Sequence, residues 1–78
     1  MLDRPREHDP LDEFTTRERE VLSLMAEGLT DRGIAQRLYI TQNTVEKHIR
    51  HIIGKLGLRT TPADNRRVHA VLAYLRSA

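Results

Sequence analysis

The stretch Thr41-Gln-Asn-Thr-Val-Glu-Lys-His-Ile-Arg-His-Ile-Ile-Gly-Lys-Leu-Gly57 reads as a helix with two faces of opposite chemistry. At about 100° per residue, Val45, Ile49, Ile52, Ile53 and Leu56 gather on one side, and Asn43, Glu46, Lys47 and Arg50 on the other. Thr44, His48, His51 and Lys55 run along one flank. A row of amide, carboxylate, ammonium and guanidinium groups is suited to the edges of bases in a groove, and the flank is suited to phosphate oxygens. Thr41 can cap the helix and Gly57 can stop it, so a helix is expected over about 42–56. Gly54 falls on the outer side, where a missing side chain would let a phosphate backbone or a neighbouring helix approach, or else stands as a tolerated defect.

Immediately upstream, Tyr39 and Ile40 form a tight connection, preceded by a short helix over about 31–38. Thr30 caps that helix, and Ile34, Ala35 and Leu38 give it an apolar side. Gly33 in its first turn costs about 1 kcal/mol relative to alanine. Before it, Thr15 and Glu18 have capping-box spacing, Val21, Leu22 and Met25 form an inward stripe, and Gly28 suits a left-handed stop. A helix over about 16–27 follows from these signals. Short helix, tight turn and longer amphipathic helix is the helix-turn-helix order.

Downstream, residues 58–64 are a polar connection containing Pro62, with either Thr61 or Asp64 as the cap of a last helix over about 63–76. Val68, Val71, Leu72 and Leu75 repeat at helical spacing and are expected to face inward. Ala70, Ala73 and Tyr74 then lie on the opposite side, small and apolar enough to meet a second copy of the chain. The expected fold is all-α, with four helices. No strand pattern, internal repeat or glycine-rich phosphate loop interrupts this reading.

At 78 residues the chain is one small domain, with little surface to bury and modest stability expected. Residues 1–13 carry five acidic and two basic side chains, net −3, and contain Pro5 and Pro10 without apolar periodicity. They are expected to form a flexible acidic linker or tail ahead of a domain at 14–78. The remaining 11 basic and six acidic side chains leave that domain at +5, which favours a polyanionic partner.

Without cysteine, disulfides, thiol catalysis and thiolate metal sites are excluded. The longest apolar run, Ala70 to Leu75, is far shorter than the roughly 20 residues that span a bilayer, so no membrane association is expected. The start of the chain lacks the apolar core of a secretory signal, and a cytoplasmic location is expected. His48 and His51 share a flank with no placed carboxylate, a poor metal site. No nucleophile and base fall at a spacing that would join them, so neither catalysis nor a cofactor is expected.

The segments Phe14-Thr-Thr-Arg-Glu-Arg-Glu-Val-Leu22, Gly28-Leu-Thr-Asp31, Ile34-Ala-Gln-Arg-Leu38, Ile40-Thr41, Thr44-Val45, His48 and Lys55-Leu-Gly-Leu58 resemble, at matching spacing, the LuxR-type (GerE-like) DNA-binding domain of bacterial transcription regulators. The resemblance is close over 14–57 and looser over the last helix. It implies four helices, the third entering the major groove of double-stranded DNA and the fourth pairing two subunits over an inverted repeat. It also implies that the domain is the C-terminal output part of a larger regulator, with RNA polymerase as a further partner.

Carried over by position, base contacts fall on Asn43, Glu46, Lys47 and Arg50, and backbone contacts on Thr30, Arg32, Thr41, Thr44, His48 and Lys55. His51 joins the phosphate set from its place on the flank. Glu46 stands where the family often has lysine, leaving two readings: acceptance from a cytosine amino group, or pairing with Arg50. Gly33 replaces an acidic residue common before Ile34, and the connection to the last helix is longer than the family minimum. Two rivals share parts of the pattern: the fourth region of a sigma factor, which lacks the last helix, and a helical module that binds protein.

Overall fold

A computed structural model describes residues 13–77, which form four helices and no strand among the described residues. They are α1 (Thr16–Ala26), α2 (Asp31–Leu38), α3 (Gln42–Lys55) and α4 (Ala63–Ser77). The all-α expectation holds, with ends within a residue of those read from the sequence. The expected tail at 1–13 lies outside the described residues except for Glu13.

Threonine opens the first three helices. The hydroxyls of Thr15, Thr30 and Thr41 accept from the backbone N–H of Glu18, Gly33 and Thr44, each at 3.1 Å. Each bond satisfies a donor that the first helical turn would leave unpaired. Glu18 completes the capping box by accepting from the Thr15 N–H at 3.0 Å. Gly28 (φ 93°) and Gly57 (φ 71°) turn the chain out of α1 and α3 in the left-handed region. Tyr39 does the same after α2 at φ 60°, and the N–H of Ile40 returns to the Ala35 carbonyl at 3.0 Å. Asp64 lies in the first turn of α4 and is therefore not its cap.

The core is built where α1 packs against the other three helices and α2 lies on α3. Val21, Leu22, Ile34, Val45 and Ile52 are its largest fully buried side chains, closed over by Phe14, Leu24, Met25, Ala35 and Ala70. Ile49 and Leu56 pack partly buried against it, as the apolar spacing of α3 required, whereas Ile53, expected on the same side, is half-buried at a surface crevice beside Arg50.

The last helix departs from expectation. Ala70 has no exposed surface, and Val71 and Tyr74 pack on the core, whereas Val68, Leu72 and Leu75 are 56%, 39% and 54% exposed. The helix is thus turned by roughly the 100° of one residue from the orientation its strongest apolar stripe implied. Two things select this rotation. The Arg67 guanidinium donates to Asp31 Oδ1 at 2.6 Å and to the Leu29 carbonyl at 2.7 Å, tying α4 to the start of α2. The methyl group of Ala70 lets α4 settle closely on α1. Ala70, read as part of a dimer face, therefore has no surface to offer, and Tyr74 faces the core; Ala73 is half-buried beside them.

Ala70→Leu forces extra volume into a filled contact and should destabilise the fold by about 1–3 kcal/mol. Urea unfolding followed by circular dichroism reads this directly. An unchanged midpoint would restore the outward orientation of Ala70.

Candidate nucleic-acid interface

With Val45 and Ile52 fully buried, the opposite side of α3 is fixed as the outer one. Asn43, Lys47 and Arg50 are exposed there, and Glu46 is half-exposed beside them. Among the described residues no ion pair joins Glu46 to Arg50, so the pairing alternative does not occur. The four groups expected to meet base edges thus share one open surface, with Thr41 and the first turn of α3 at one end of it.

The flank divides. Thr41 and Thr44 are linked through their hydroxyls at 2.9 Å, beside the positive end of the helix dipole, where an anion is favoured. Thr30 and Arg32 stand at the corresponding start of α2, Arg32 exposed. Lys55 is committed elsewhere. Its Nζ donates to Glu18 Oε1 at 2.7 Å and to the Glu13 carbonyl at 2.9 Å, and it lies 5.6 Å from the centroid of the Phe14 ring. Two of its three donors are taken, which leaves one for any outside partner. His51 Nδ1 is 3.9 Å from Glu18 Oε2, with half of the imidazole exposed.

Sequence reasoning identified Glu18 only as a capping residue. It is also the one buried charged side chain among the described residues, 4% exposed, and the point where the ends of α1 and α3 meet. Nothing in helical spacing marks a partner 37 residues away.

Burial pushes the Glu18 carboxyl up, but the hydrogen bonds from Lys55 and the Thr15 N–H, with the charges of Lys55 and His51, outweigh it and hold the group below its ordinary value. His48 is also held below its ordinary value, first by burial and then by the cations Arg17, His51 and Lys47, against the pull of Glu18. In the unbound domain its imidazole therefore favours the neutral form, which offers a single N–H donor.

The chain matches the family model of bacterial regulatory proteins, luxR family, over residues 12–73. The chain belongs to that family. Among its relatives, the nitrate/nitrite response regulator protein homolog of Haemophilus influenzae is 41% identical over 63 residues, covering 81% of this chain and 30% of the relative. The probable transcriptional regulatory protein SgaR of Hyphomicrobium methylovorum is 47% identical over 51 residues, covering 65% and 24%. The oxygen regulatory protein NreC of Staphylococcus aureus is 43% identical over 54 residues, covering 69% and 25%. This LuxR-family chain thus spans less than a third of the length of these curated relatives. No solved structure gives a significant match. α2 and α3 stand in helix-turn-helix order, and the chain is a DNA-binding domain of this family of regulatory proteins. Among the described residues no helix is long and apolar enough to cross a membrane.

Both lowered groups give stability the same pH dependence. A depressed pKa in the fold means that the unfolded chain binds more protons on acidification, so stability is full above the unfolded value and falls as pH drops through the folded one. A loss should begin below about pH 6.5, through His48, and a further one in the carboxylate range, through Glu18. Urea midpoints across that range measure it. Glu18→Gln should lower stability by about 1–3 kcal/mol at neutral pH and flatten the acid step; an unaltered acid step would free Glu18 of that role.

Proposed function

We propose that two copies of this domain bind an inverted-repeat site, each placing the outer side of α3 in a major groove, the two grooves roughly 34 Å apart on one side of the duplex. One observation carries this reading. Asn43, Lys47 and Arg50 are exposed together, without an internal partner among the described residues, on a helix whose other side is locked into the core. Lys47 and Arg50 suit guanine O6 and N7, Asn43 suits adenine, and Glu46 can accept from a cytosine amino group. Thr30, Arg32, Thr41, Thr44, His48, His51 and the remaining donor of Lys55 suit the backbone, fixing register without reading sequence.

The exposed side of α4, formed by Val68, Leu72 and Leu75, replaces Ala70, Ala73 and Tyr74 as the surface on which a second copy docks. An apolar stripe on the last helix can meet its own symmetry mate, the isologous arrangement a two-fold site requires. The chain would then be the output part of a larger cytoplasmic regulator, and RNA polymerase a further partner.

Selection of bound sequences from a random duplex pool should return two half-sites in inverted orientation; a lone half-site would contradict the symmetric pair. On the selected site Lys47→Ala or Arg50→Ala should cost about 1–3 kcal/mol and relax the choice of base at one position. Equal loss on every sequence would remove those residues from base reading. Leu72→Glu should abolish the advantage of the full site while leaving half-site affinity intact, and undiminished full-site binding would move the dimer contact elsewhere.

A further inference from the structure

We infer that the connection between α3 and α4 adds a phosphate-binding group that neither the family resemblance nor the outer side of α3 supplies: the guanidinium of Arg59, held at the far end of the side of α3 that faces DNA. This rests on the reading of α3 as the helix that enters the groove.

Gly54 marks the place. Around the helix axis it falls within about 20° of both Asn43 and Lys47, so it continues their line toward the C-terminus of α3. A side-chain carbon at Gly54 would stand 3.1 Å from Arg59 Nη2 and 3.4 Å from Nε. The space left by the missing side chain is therefore covered by a guanidinium that the following connection folds back over the helix. The group beside Gly54 is neither a phosphate backbone nor a neighbouring helix but a side chain of the connection that follows α3.

The connection is held in that shape. Arg66, in the first turn of α4, donates from Nε to the Thr61 carbonyl and from Nη2 to the Arg59 carbonyl, both at 2.8 Å. Those two bonds use two of the five N–H donors of Arg66 and fix the backbone on which Arg59 stands, making Arg66 a positioning residue.

Its surroundings are cationic. The crevice beside Arg59 is lined by Arg50, His51 and Arg66 with Ile49 and Ile53, and contains no carboxylate. The adjoining one adds Lys55 and Gly54. The carboxylate that could have neutralised this end of α3, Glu18, is already taken by Lys55. No ion pair holds Arg59 among the described residues. Arg50 and Arg59, neighbouring cations without an internal counter-charge among the described residues, are an electrostatic footprint for a polyanion.

Distance decides what Arg59 meets. Gly54 lies seven residues beyond Lys47, about 10 Å along the axis at 1.5 Å per residue, comparable with the roughly 12 Å width of the major groove. With Lys47 at the base edges, a group over Gly54 stands at the rim, where the phosphates are. Arg59 therefore strengthens binding without choosing sequence.

The test measures binding of the 78-residue chain to two duplexes, the sequence it selects from a random pool and a scrambled version, over a series of salt concentrations. Arg59→Ala should weaken both by the same factor, roughly tenfold, and lower the salt slope by about 0.9, one phosphate contact. Arg59→Lys should recover the slope. Circular dichroism checks that both variants, altered at an exposed position, keep the fold. An unchanged slope, or a loss confined to the selected duplex, overturns the assignment. If Lys47→Ala shifts base preference while Arg59→Ala matches the wild type, only Arg59 is removed and the role of α3 stands. If the wild type shows no salt-dependent binding to either duplex, both fall.

Discussion

The contact on which the rest of the structure depends is the one between Glu18 and Lys55. A carboxylate that is 4% exposed costs several kcal/mol unless it is paired and hydrogen-bonded. Glu18 meets that condition twice: it closes the cap of α1 through Thr15, and it receives the ammonium at the last turn of α3. The value of such a pair lies as much in register as in stability. If α3 slid or turned relative to α1, Glu18 would be left buried without its cation, so the pair favours one rotation of α3, the same rotation that Val45 and Ile52 demand from the core side. Hydrophobic and ionic constraints agree, and the outer side of α3 is left free.

The basic side chains divide into two groups that net charge cannot distinguish. Lys55, Arg66 and Arg67 build the fold: the first joins α1 to α3, the second shapes the connection before α4, the third ties α4 to the start of α2. Arg32, Lys47, Arg50 and Arg59 have no such task among the described residues, and the proposed duplex contacts draw on them. The count of 11 basic side chains over residues 14–78 therefore overstates what is available for an outside anion.

Much of this was legible in the sequence because it is encoded within one helical turn. The three threonine caps, Gly28 and Gly57 act on neighbours three or four residues away, and the helix bounds they imply hold to within a residue. The rotation of α3 was legible too, since its apolar residues form one dense stripe. The rotation of α4 was not. Three of the four residues of its best apolar stripe, Val68, Leu72 and Leu75, are exposed, and the interactions that turned it join Arg67 to Asp31 and Leu29, 36 and 38 residues away. The double role of Glu18 was hidden for the same reason. Tyr39 took a left-handed turn that its residue type does not announce, held by the return bond from Ile40 to Ala35.

The most direct measurement of the central claim, that the outer side of α3 is the surface that meets DNA, is backbone amide chemical-shift mapping during titration with the selected duplex. The largest changes should fall on residues 42–50 and on the caps Thr30 and Thr41, with the buried positions of α1 little affected. Changes concentrated on α1, with Asn43, Lys47 and Arg50 unmoved, would contradict it.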